Sequence, residues 1–182
     1  NSYTALLEHL HGQGISHDLA CRASVARRSE RTGRPYDVMR DRIVIPIFDR
    51  RSRPIAFGGR LLSGEGPKYL NSPESEIYNK SATLYGLNWA RGPMQRKDRV
   101  PVVEGYFDVI ALHAAGVTNA VASLGTALSS QQITQLCRCS DGKRIVLNFD
   151  ADGAGVRAAN RAIGEVEQLA LQGQLELRVL HL

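Results

Sequence analysis

Residues 100–109 read VPVVEGYFDV and residues 144–155 read RIVLNFDADGAG. Each opens on a short apolar run rich in β-branched residues, reaches an acid, and turns through glycine into helix-forming sequence. Glu104 closes the first run, Gly105 makes the turn, and Asp108 follows at i+4. Asp150 closes the second, Asp152 comes next, and Gly153 and Gly155 lead into a helix. Outward from these two stretches the pattern is regular. Strand-like segments at 100–103, 117–122, 144–149 and 175–182 alternate with helices expected over about 107–115, 129–138 and 155–171. Strands alternating with helices predict right-handed crossovers and an α/β fold, a mostly parallel sheet flanked by helices.

Before residue 98 the character changes. Leu6, Leu7 and Leu10 give a first helix its apolar face, a break follows at residues 11–14, and a second short helix opens near Ser16. Arginines and turn formers over 27–36 read as a mobile surface connection. Two apolar runs flanking DRRSR (49–53) predict a β-hairpin with a basic tip, and Pro46 places its strand at an edge or a bulge. The segment SGEGPKYLNSPES (63–75) reads as loop throughout, and KSATLYGLNWARG (80–92) as a short helix or two turns. The expected organisation is a smaller, mixed α+β basic subdomain over 1–97 followed by an α/β domain over 98–182. An end inside the last strand is expected of a piece of a longer protein.

The 182 residues carry 43% hydrophobic and 23% charged side chains, the balance of a globular chain rather than a disordered one. No apolar run approaches the roughly 20 residues needed to span a bilayer. The net charge of +5 is unevenly spread: +7 over 22–60, with eleven arginines, and −2 over 98–182. The basic stretch suits phosphates, because guanidinium forks match phosphate oxygens, though a solvated arginine-rich surface is the plainer alternative. Cys21, Cys137 and Cys139 read as free thiols, and the five histidines have no metal-ligand spacing.

In open parallel sheets, ligands bind outside the carboxyl ends of the strands. Glu104, Asp108, Asp150 and Asp152 should therefore open on one rim, where their charges would repel without a cation. Hard oxygen donors of this kind suit Mg²⁺ or Mn²⁺. Acids at helix starts also serve as plain caps, and for Asp108 alone that reading has equal weight.

VVEGYFDVIAL (102–112) and NFDADGAGVRAA (148–159) resemble the two signatures of the Toprim fold, shared by bacterial primases, topoisomerases and some nucleases. Upstream, residues 41–62, PKYLNSPESEIYNK (67–80), LYGLNWAR (84–91) and AVASLGTALSSQQ (120–132) are similar to the RNA-polymerase core of the bacterial DnaG-type primase family. The resemblance runs from about Tyr36 to the end. It implies a DNA-directed RNA polymerase, a nucleotidyltransferase of the primosome, that makes short RNA primers on single-stranded DNA from nucleoside triphosphates during replication.

By the family's motifs, Glu104 is the general acid or base, and Glu104, Asp108, Asp150 and Asp152 are metal-binding, with Glu104, Asp150 and Asp152 the catalytic set. Arg42, Arg60, Lys68 and Lys80 match positions that hold nucleotide and template. Four parts of the family's pattern are not expected within these residues: a further Asp-Pro-Asp motif, a zinc-ribbon domain, the start of the core itself and a C-terminal helicase-binding domain. One metal position is accordingly expected to be weak or empty, which puts the fragment's own activity in doubt. No zinc is expected, and the replicative helicase would be met only through a domain missing here. The implied location is cytoplasmic and nucleoid-associated, with no membrane contact. Another Toprim activity, topoisomerase or nuclease, and a non-catalytic single-strand-binding module are the alternatives.

Overall fold

The computed structural model describes residues 2–125, 128–149 and 153–181. They form two compact units, one of residues 1–47 and 54–79, the other of residues 48–53 and 80–182.

In the first unit, helices α1 (Ala5–Gly12) and α2 (His17–Arg22) precede two very short strands, β1 (Ala26–Arg28) and β2 (Pro35–Asp37). Ser16 caps α2 by accepting from the Leu19 N–H at 3.2 Å. The cap of α1 comes from far along the chain. Buried Asp37 accepts from the N–H groups of Leu6 and Leu7 at 2.8 and 3.1 Å. This bond and the antiparallel register Ala26↔Asp37 turn the expected loose connection at 27–36 into an ordered pair of strands. A second sheet runs in the order β3 (Arg42–Phe48), β4 (Pro54–Leu61), β5 (Tyr69–Asn71), so Pro46 does lie on an edge strand. The 63–75 segment is not loop throughout, because Tyr69–Asn71 pairs with Gly58–Arg60.

In the second unit, a short 3₁₀ turn (Lys80–Ala82) and α3 (Leu87–Gln95) lead into β6 (Arg99–Val103), α4 (Tyr106–Ala114), β7 (Val121–Ala122), α5 (Ser130–Cys139), β8 (Arg144–Phe149), α6 (Gly153–Leu171) and β9 (Glu176–His181). The four strands are parallel in the order β7-β6-β8-β9. Strand β7 is shorter than the expected 117–122. Gly116 sits at φ +86°, the Val117 N–H returns to Leu112 O at 2.8 Å, and the Asn119 amide bonds Arg99 O, so the chain spends 117–119 turning.

Alternate residues Ile145, Leu147 and Phe149 of β8 are buried, and with Val100 and Val102 of β6 they form the core against Leu84, Leu136 and Val166. Leu147 is fully buried, and its truncation to Ala would cost about 2–5 kcal/mol.

This strand order creates the site. The crossover from β6 through α4 goes to β7 on one side, and the crossover from β8 through α6 goes to β9 on the other. Helices that diverge in this way leave a crevice beyond the carboxyl ends of the two central strands, the place where α/β sheets bind ligands.

Candidate active site

Glu104 is the first residue after β6 and Asp108 lies in the first turn of α4. Glu104 is half-buried and Asp108 exposed. Asp108 Oδ2 accepts from the Gly105 N–H at 2.9 Å, so the capping reading holds for that oxygen, and among the described residues Oδ1 has no hydrogen-bond partner. The Glu104 backbone is fixed from the next strand: the Leu124 N–H donates to Glu104 O at 3.0 Å, and the Ser123 N–H to Val103 O at 3.2 Å. Leu124 does this at φ +60° although its side chain is buried, and Gly125 continues at φ +78°. Left-handed backbone at a non-glycine residue beside a candidate catalytic acid is strain of the kind that gathers at functional sites.

Asp150 and Asp152 lie outside the described residues; β8 ends one residue before Asp150. Among the described residues no three His, Cys, Asp or Glu side chains gather into a metal cluster. The hard oxygen donors of half-buried Glu104 and exposed Asp108 nevertheless suit a hydrated divalent cation, which keeps several waters and takes one or two carboxylates together with substrate phosphates.

The basic candidates divide between the units. Arg42 does not pair with Asp41. Its Nη1 donates to Gly59 O at 3.3 Å and its Nη2 to Pro67 O at 2.8 Å, which braces the 63–67 loop, while Asp41 accepts from Ser63 Oγ. Arg42 lines a cleft of about 470 Å³ with Arg27, Tyr36, Arg40 and Gly64. Arg60 and Lys68 converge on one exposed ring, 5.9 and 5.6 Å from the centroid of Tyr69. Arg40 lies between the rings of Tyr3 and Tyr36, at 4.3 and 5.1 Å. Aromatic rings thus lie beside basic side chains in the first unit. Lys80 belongs to the second compact unit, with Glu104 and Asp108.

The chain matches the N-terminal domain of the DNA primase catalytic core over residues 1–91 and the Toprim domain over 98–181. It belongs to the DNA primase catalytic-core family. The DNA primase of Synechococcus elongatus is 62% identical over 147 residues, which is 81% of this chain and 21% of that protein. A crystal structure of a DNA primase domain from Pseudomonas aeruginosa superposes at a TM-score of 0.90 with 44% identity, covering 100% of this chain and 56% of that one. A DnaG primase catalytic domain bound to ssDNA superposes at 0.86 with 36% identity, covering 100% of this chain and 57% of that one. The chain therefore spans about a fifth of the length of such curated relatives, and it has the mixed α/β, Toprim architecture of the primase core. Among the described residues no helix is long and apolar enough to cross a membrane.

Two parts of this primase-family site escaped sequence reading. One is the Leu124–Glu104 tie, since nothing in SLG announces left-handed backbone at leucine. The other is the hold on the 80–83 turn, where the Gln132 amide donates to the carbonyls of Lys80 and Thr83. It had a legible signal, Ser129 three residues before Gln132, the pattern of a capping box.

Proposed function

We propose that this chain is the catalytic segment of a DNA primase, with a basic subdomain over 1–97 and a Toprim domain over 98–182. In this reading it makes short RNA primers on a single-stranded DNA template from nucleoside triphosphates, in the cytoplasm at the nucleoid. The reading is carried by Glu104, set at the carboxyl end of β6 where the strand order reverses, in a chain whose two halves match the two primase-core domains in order. Family membership implies dependence on a divalent metal; we assign Mg²⁺ or Mn²⁺, and no zinc to these residues.

Glu104 takes the proton of the attacking 3′-hydroxyl as it reaches the α-phosphate and pyrophosphate leaves. Asp108, Asp150 and Asp152 would hold the divalent cations. When bound, such ions activate the attacking oxygen and offset charge on the leaving group. Arg60 and Lys68, both close to the exposed Tyr69 ring, and Arg42 in its cleft hold template or triphosphate phosphates, and Lys80 does so from the acidic unit. Helicase contact falls to parts of the protein outside these residues.

The test is nucleotide incorporation by the full-length protein on single-stranded template, run beside supercoiled DNA in Mg²⁺. Template-dependent RNA product with intact supercoils is expected. Relaxation or nicking without RNA product would assign a different Toprim chemistry, and binding without either would make it a binding module.

A further inference from the structure

Lys80 opens a turn whose own i→i+3 bond, Thr83 N–H to Lys80 O, is 3.3 Å long. The carbonyls of that turn are also gripped from α5. The Gln132 Nε2 donates to Lys80 O at 3.1 Å and to Thr83 O at 2.8 Å. Ser129 Oγ donates to Ser81 O at 2.5 Å, and Gln135 Nε2 to Ala82 O at 2.8 Å. Four successive carbonyls are thus held by three side chains of one helix start. Gln132 is fully buried, and its remaining polar atom, Oε1, accepts from the Ser129 N–H at 3.0 Å. Every polar group of this amide is used, which fixes its orientation.

The turn is tied to the acidic site from its other end as well. Tyr85 exchanges backbone hydrogen bonds with Ala122 at 2.9 and 3.1 Å, two residues before Leu124 bonds the Glu104 carbonyl. Lys80 and Glu104 are therefore rooted in one hydrogen-bonded framework.

We infer that Gln132 is a positioning residue for Lys80: by clamping the 80–83 turn it sets where the lysine ammonium meets the phosphates of nucleotide or template. A lysine side chain loses much rotamer freedom when it engages a ligand, and a fixed root keeps backbone ordering from adding to that cost. The inference rests on the phosphate-binding role proposed for Lys80, and the experiment separates the two. In the full-length protein, Lys80→Ala, Gln132→Leu and the double variant are compared for primer synthesis, with KM for nucleoside triphosphate and kcat measured separately and folding followed by near-UV circular dichroism.

Lys80→Ala is expected to raise KM about tenfold, the worth of a hydrogen bond to a charged group. Gln132→Leu should raise it in the same direction with kcat little changed. On the Lys80→Ala background Gln132→Leu should add nothing, because the group it positions is gone. A normal KM in Lys80→Ala overturns the role of Lys80 and the inference with it. A raised KM in Lys80→Ala beside a normal KM in Gln132→Leu, or losses that multiply in the double variant, overturns the positioning role alone. If Gln132→Leu does not fold, Gln135→Ala takes its place. A KM increase that disappears on the Lys80→Ala background supports the clamp, and an unchanged KM refutes it.

Discussion

Leu124 donates its backbone N–H to the carbonyl of Glu104 at 3.0 Å from a left-handed conformation, φ +60°. A buried leucine is an unfavourable residue for that backbone, and Gly125 beside it, at φ +78°, takes the second left-handed position at no steric cost. Replacing Gly125 by Ala is expected to destabilise the chain by about 1–2 kcal/mol, although the space around it is open. Urea denaturation reads the change, and an unchanged midpoint would remove the case for strain at this turn.

Gly142 precedes β8 for a different reason. A Cβ there would meet Asp98 O at 2.5 Å and Asp98 Cα at 2.9 Å, and backbone cannot step aside as a flexible side chain can. Gly142→Ala should therefore push the starts of β6 and β8 apart and cost about 1–3 kcal/mol, the usual range for overpacking. Equal stability of variant and parent in urea would contradict the close approach.

The βα alternation after residue 98 was legible because each strand is a short apolar run and each helix opens on glycine or a capping residue. Glu104 and Asp108 could be placed for the same reason. What escaped notice depends on partners distant in sequence. The strands at 26–28 and 35–37 exist because Asp37 caps a helix 30 residues earlier. Strand β5 exists because β4 offers it an edge. The grouping of Lys80 with the acids depends on an amide 52 residues further on. Local pattern carries none of these, since each hydrogen bond is made by groups whose neighbours in sequence are silent about it.

Tyr78 is buried, its hydroxyl has no hydrogen-bond partner among the described residues, and burial, aided by the charge of Glu74, pushes its pKa up to about 12 from 10.0. A folded pKa above the unfolded one means stability is fully present below pH 10 and falls as pH rises from about 10 to 12. Tyr78→Phe should lessen that alkaline loss and, by removing an unpaired polar atom, be neutral or stabilising at pH 7. Identical alkaline profiles for the two proteins would contradict the assignment.

Glu176 behaves in the opposite sense. Hydrogen bonds from Arg178 and from Arg144, its neighbour across the β8–β9 ladder, hold its carboxyl below the ordinary 4.5. Its contribution is present above that value and is lost as acid protonates it in the folded state. Glu176→Gln should lower stability at pH 7 and reduce the difference between pH 7 and pH 3 in urea melts. A variant as acid-sensitive as its parent would show that the arginine pair contributes nothing.

The central claim is that Glu104, at the carboxyl end of β6, carries the proton transfer of template-directed RNA synthesis. It is tested most directly by Glu104→Gln in the full-length protein, with primer synthesis on single-stranded DNA measured at saturating nucleoside triphosphate and template binding measured in parallel. The amide has similar shape and cannot take the proton, so kcat should fall by about 10²–10⁴-fold while folding and template binding persist. Primer synthesis at the parent's rate by the folded variant would contradict it.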